Sequence, residues 1–127
     1  MKKHVIKTQN APAPVGPYSQ AVISGDLIFL SGQAAVDPET GKLVEGDTKA
    51  QTLQTLKNLK TVLEAAGSDL EHVVKTNVFL IDMNDFASMN EVYRQFFPDE
   101  YPARTTIQAA RLPLDALVEI DLIATRK

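Results

Sequence analysis

The 127-residue chain contains no cysteine. That absence removes disulfides, thiolate nucleophiles and cysteine-ligated metals together. Histidine is scarce as well: His4 and His72 are the only two, and neither sits in an H-E-x-x-H or H-x₃₋₅-H spacing. A transition-metal site would have to be built almost wholly from carboxylates, so none is expected. No stretch approaches the roughly eighteen unbroken apolar residues that a membrane span needs. The basic start, Met1 to Lys7, has no apolar segment behind it, so export is not expected and a cytoplasmic placement is. There is no surplus of positive charge either. Thirteen Lys and Arg stand against sixteen Asp and Glu, for a net charge of −3, and the basic residues are scattered. The densest of them lie at the termini and read as solvated tails. A nucleic-acid partner is not expected, because phosphate contacts need clustered cations.

What is present is ordinary globular material, 44% hydrophobic and 23% charged. At this length one core, and one domain over residues 1–127, is the expectation. No repeat or linker-like run divides the chain. Three prolines between Ala11 and Pro17 rule out helix there and predict a structured, extended loop. Ser19 to Ile23 and Leu27 to Gly32 flank Ser24-Gly25-Asp26 and read as a hairpin. Asp37 to Asp47 holds two turn clusters and reads as a surface loop.

Thr48 with Gln51 predicts a capping box. Leu53, Leu56, Leu59, Val62, Leu63 and Ala66 then follow at helical spacing until Gly67 stops the helix. Val73 to Ile81 is dense in β-branched and aromatic residues and predicts a strand buried on both faces. A second helix is expected from Asn84 or Asp85 to Phe97, with Phe86, Met89, Val92, Tyr93 and Phe96 on its apolar stripe and Pro98 closing it. Thr105 to Ala110 and Leu117 to Thr125 read as a final strand pair around Leu112-Pro113-Leu114-Asp115. In the last strand Val118, Ile120, Leu122 and Ala124 point one way, and Glu119 and Asp121 the other. The sum is α+β: a single mixed sheet of about six strands with two helices packed on one face. The uncovered face mixes Leu117 and Ile123 with acids, which suggests association between subunits.

Several side chains suit chemistry. The rigid fork of Arg104 matches a carboxylate, though a structural ion pair is the commoner use of an arginine. Glu119, among apolar neighbours, is either a partly desolvated acid able to handle a proton or an ordinary solvent-facing residue. Tyr18 either covers a substrate or pins the proline-rich loop. Gly32 suits close approach of backbone to a ligand, or a strand-end turn. Asn90, mid-helix, is more often satisfied locally. Arg111 reads as structural, and Met83 and Met89 as core filler.

The segments GPYSQA (Gly16–Ala21), SGQ (Ser31–Gln33), VVKTNVFL (Val73–Leu80), NDF (Asn84–Phe86), YPARTTIQAARLP (Tyr101–Pro113) and VEIDLIA (Val118–Ala124) occur in this order. The series resembles the RidA (reactive intermediate deaminase) family, also called YjgF-like, over nearly the whole chain. The resemblance implies a chorismate-mutase-like fold and a homotrimer with sites in the clefts between subunits. It also implies hydrolysis of 2-iminobutanoate and 2-iminopropanoate to 2-oxo acids and ammonia, without metal or organic cofactor. Arg104, Glu119 and Tyr18 would then be catalytic, with Arg104 on the substrate carboxylate and Glu119 orienting water. Gly32, Ser31, Asn90 and Thr106 would complete the substrate site. Many relatives carry a cysteine where this chain has Thr106, whose hydroxyl cannot form a thiolate. Two other readings accompany the resemblance: a ribonuclease or translation inhibitor acting on single-stranded RNA, and a non-catalytic regulatory protein that binds small carboxylates.

Overall fold

The computed structural model describes residues 2–127. Six strands and two helices alternate along the chain: β1 (His4–Ile6), β2 (Ala21–Ser24), β3 (Leu27–Gln33), α1 (Thr48–Ala65), β4 (Val73–Leu80), α2 (Phe86–Phe96), β5 (Ala103–Gln108) and β6 (Val118–Thr125). They form one six-stranded sheet in the order β1-β2-β3-β6-β4-β5. Among the described residues only the β4–β5 pair is parallel. Both helices cover the same face, and the α+β architecture with a mixed sheet is as the sequence predicts.

The expected hairpin is present, with Ser24 opposite Leu27 and Gly25 in the left-handed region at φ 61°. Under the helices the strands bury Ile28 and Leu30, Val78 and Leu80, and Val118, Ile120 and Leu122. α1 answers with Leu56, Leu59, Val62 and Leu63, and α2 with Met89, Val92 and Tyr93. Truncating one of these large side chains to alanine costs about 2–5 kcal/mol, because the cavity only partly collapses. Among the described residues no helix is long and apolar enough to cross a membrane.

Several expectations need correction. The amino-terminal segment is not a free tail, since β1 pairs antiparallel with β2. Asp47, not Thr48, caps α1, accepting from the Ala50 N–H at 3.0 Å. Thr48 instead donates to Asp85 (2.8 Å), and the Gln51 amide oxygen accepts from the Leu117 N–H (2.8 Å), so both serve tertiary joints. Leu53 is exposed, and Phe97 takes the core place expected of Phe96. β4 is fully buried on its helix face only; Lys75, Asn77 and Phe79 on the other face are half-buried.

The largest correction concerns β5 and β6. They are not a strand pair: β4 lies between them. β5 also begins two residues early, so Arg104 sits inside the strand.

Candidate active site

β5 is an edge strand whose alternation decides where Arg104 points. Arg104 lies directly opposite Thr76 of β4, and Thr76 is fully buried beneath the helices. Arg104 therefore faces the helix side of the sheet, toward α2. There its guanidinium carbon lies 4.8 Å from the centre of the Tyr93 ring and 5.5 Å from that of Phe86. Phe86 and Tyr93 are seven residues apart, two turns of one helix face. Phe86 is left 38% exposed, so it does not fill the core as the apolar stripe suggests. Among the described residues Arg104 makes no ion pair. The structural-salt-bridge alternative therefore finds no partner here.

Two further groups share this wall. Asn90 occupies the turn of α2 between Phe86 and Tyr93. Thr106 follows Arg104 by two residues, which puts both on the same face of β5. The Asn90 side-chain oxygen and the Thr106 hydroxyl are each buried with no hydrogen-bond partner among the described residues. Leaving such an atom unpaired costs about 1–3 kcal/mol. An arginine fork thus shares one wall with two buried polar atoms whose hydrogen-bonding capacity is unspent.

Glu119 belongs to a different wall. It lies on β6 opposite Phe79 of β4, on the face the helices leave open. Its carboxyl group lodges against Gly32: a Cβ built there would come within 3.0 Å of the Glu119 carboxyl carbon. Gly32 thus clears space for an acid from the neighbouring strand, at an irregularity in the β3–β6 register. Burial, with a smaller push from the Asp121 carboxylate, raises the Glu119 pKa above the ordinary carboxylate value. Asp121 itself accepts from the Asn77 amide at 2.8 Å.

Ser31, beside Gly32, donates to the Ser19 carbonyl at 2.6 Å, and its own N–H bonds the Gln20 carbonyl at 3.0 Å. These bonds tie β3 to the segment carrying Tyr18. Tyr18 is 47% exposed, and its hydroxyl accepts from the Val15 N–H at 3.2 Å. It does brace the proline-rich loop while leaving its ring open. Gln20, which attracted no notice in the sequence, is the buried clamp of that loop: it bonds Thr8 through both its N–H and its carbonyl, and also the Pro12 carbonyl.

The expected residues thus form two groups. Arg104, Asn90 and Thr106 share the helix side with Phe86 and Tyr93, while Glu119 and Gly32 meet on the open side. Arg104 aligns with Thr76 of β4, and Glu119 with Phe79, three residues further along and one strand beyond. The two therefore stand on opposite faces of one sheet. Arg111 is a surface residue paired with Asp115 at 3.4 Å, as its structural reading has it. Met89 is core, but Met83 is 38% exposed. A concavity of about 980 Å³ between the carboxyl-terminal ends of the two helices, lined by Lys60, His72 and Phe96 among others, lies apart from both groups.

Residues 8–126 match the protein family described as Endoribonuclease L-PSP. A RutC family protein of Pyrococcus horikoshii is 53% identical, over 98% of this chain and 99% of its own. The human 2-iminobutanoate/2-iminopropanoate deaminase is 46% identical, over 96% of this chain and 89% of its own. Among solved structures, E. coli TdcF with bound serine superposes with a TM-score of 0.93 at 44% identity, over 98% of this chain and 99% of that one. A match of this extent leaves no part of either wall outside it, and the chain belongs to the Endoribonuclease L-PSP family, the RidA or YjgF group.

Proposed function

We propose that this protein is a 2-iminobutanoate/2-iminopropanoate deaminase, a hydrolase that clears reactive enamine and imine acids. The observation that carries the proposal is the Arg104 guanidinium, over two aromatic rings with no carboxylate bound to it among the described residues. Such a cation is ready for an external carboxylate, which it can meet with two parallel charge-assisted hydrogen bonds. The human relative's name gives the substrate class, and the bound serine of TdcF is itself a small amino acid.

In this reading pyridoxal-phosphate dehydratases release 2-aminoacrylate or 2-aminocrotonate, which tautomerise to 2-iminopropanoate or 2-iminobutanoate. Water adds to the imine carbon to give a carbinolamine. Collapse of that species expels ammonia and leaves the 2-oxo acid. Arg104 holds the carboxylate, and Asn90 and Thr106, whose buried polar atoms lie on the same wall, turn toward the polar end of the substrate as it binds. Glu119 orients the water and passes a proton to the departing nitrogen, a task its raised pKa suits. Tyr18, Ser31 and Gly32 close the site. No side chain needs to act as a nucleophile, so Thr106 in place of cysteine is no obstacle.

One chain keeps Arg104 and Glu119 on opposite faces, so the complete site is assigned to the seam between copies in a homotrimer. The open face supports this, since it exposes Val5, Leu27, Phe29 and Ile107. Hydrolysis of single-stranded RNA is the weaker reading at a net charge of −3. A cytoplasmic placement accompanies the proposal.

The test couples the protein to threonine dehydratase with semicarbazide competing for the imine. The wild-type chain should suppress semicarbazone formation. Arg104→Ala should lose about two to three orders of magnitude in kcat/KM, the worth of a bidentate charged contact. Equal suppression by the two proteins removes Arg104 as the anchor, and no suppression by the wild-type chain removes the deaminase assignment. Turnover absent in both, with carboxylate binding intact, would favour the regulatory reading.

A further inference from the structure

We infer that Tyr93 is a positioning residue for Arg104, held in place by a buried hydroxyl pair with Thr76; the inference rests on the reading of Arg104 as the carboxylate anchor. Arginine is a poor anchor when free, because its long side chain must be immobilised at the moment of binding. Here the guanidinium already lies over the Tyr93 ring, 4.8 Å from its centre, closer than to Phe86. A cation over an aromatic face is attracted by the ring quadrupole, and more strongly where water is excluded.

The ring cannot drift. Tyr93 is 4% exposed, packs against Phe97 with centroids 4.6 Å apart, and places its hydroxyl 2.8 Å from that of Thr76. Both hydroxyls are buried, and this shared hydrogen bond is how each is satisfied. Thr76 is also the residue of β4 that pairs with Arg104 across the parallel ladder. A closed circuit results: Arg104 to Thr76 through the sheet, Thr76 to Tyr93 through the hydroxyls, and Tyr93 back to Arg104 through the ring face. It joins α2 to β5 at the one point where the guanidinium must be held. A phenylalanine would fill the same volume but leave the Thr76 hydroxyl unpaired and the ring untethered.

The experiment measures two things in the full-length protein: the order parameter of the Arg104 Nε–H by ¹⁵N relaxation, and the affinity for 2-oxobutanoate, the product acid, by titration. Tyr93→Leu should release Arg104 to the disorder of a surface arginine and weaken 2-oxobutanoate binding about tenfold. KM for the imine should rise in step, with kcat changed less than about twofold, as expected when ground state and transition state lose the same contact. Tyr93→Phe and Thr76→Val keep the ring and lose the tether, and should each weaken binding about threefold. They carry the test alone if Tyr93→Leu fails to give a dispersed spectrum. In an Arg104→Gln background the same substitutions should change affinity less than about twofold, since coupled residues are not additive. Unchanged order at Arg104 in all three variants, or losses that simply add to that of Arg104→Gln, overturn the positioning role while leaving the anchor intact. If Arg104→Ala binds 2-oxobutanoate as tightly as the wild-type chain, the anchor reading itself falls and the positioning role with it.

Discussion

The two walls of the candidate site are built by opposite means. Around Arg104 the fold adds material: two aromatic rings from α2, a buried hydroxyl pair behind one of them, and no opposing charge. Around Glu119 it takes material away: Gly32 has no side chain, and the acid occupies the gap. A cation is attracted to an aromatic face and can be held there fully charged. A carboxylate has no such partner in an apolar strand. Lodging it against bare backbone strips away water and raises its pKa, which is what a proton-handling group needs near neutral pH. In the proposed reaction the first wall would bind and the second would handle the proton.

The sharpest way to break this comparison is to put the two walls on different chains. Arg104→Ala and Glu119→Gln should each be nearly inactive alone. Unfolded together at equal concentration and refolded, they should recover about a quarter of wild-type activity per site, the chance that one seam draws both intact residues. If each site lay within one chain, mixing would restore nothing. Gly32→Ala comes next. Its new methyl must displace the Glu119 carboxyl, so kcat should fall about tenfold while the affinity for 2-oxobutanoate changes less than about twofold. Parallel losses in both would merge the two walls into one function.

The smallest effect is thermal. Because the folded-state pKa of Glu119 is raised, the unfolded chain binds fewer protons than the native one once pH passes the ordinary carboxylate range. Stability therefore falls with rising pH until the folded-state pKa is passed. Glu119→Gln should raise Tm by about 1–3 °C at pH 8 and leave it unchanged at about pH 3, below the ordinary carboxylate range, where the acid is protonated in both states. A destabilised variant at pH 8 would mean that the carboxylate is favourably paired.

Much of the architecture is legible along the chain. The alternation Val118-Glu119-Ile120-Asp121-Leu122 announces a half-covered strand, and the Leu repeat from 56 to 63 announces a core helix, because each depends only on a local period. The errors have a common origin. Thr48 and Gln51 have the spacing of a capping box, yet partners distant in sequence, Asp85 and the Leu117 N–H, take their side chains. Phe86 and Tyr93 share an apolar stripe, yet one is open beneath Arg104 and the other is bound to Thr76. Competition from distant groups decides such residues, and no local pattern records it.

The order of residues along the chain already carries the absence of a thiol, an acid set among apolar neighbours, and a family resemblance borne by motifs in sequence. It also determined that Glu119 and Ile120 face opposite ways, since a strand's period is two. It could not say which strands would be neighbours. Only long-range pairing placed β4 between β5 and β6, and that insertion sets Arg104 beside Thr76 on the helix face and Glu119 beside Gly32 on the open one. Strand order is set by burial summed over the whole sheet, a quantity no local window contains.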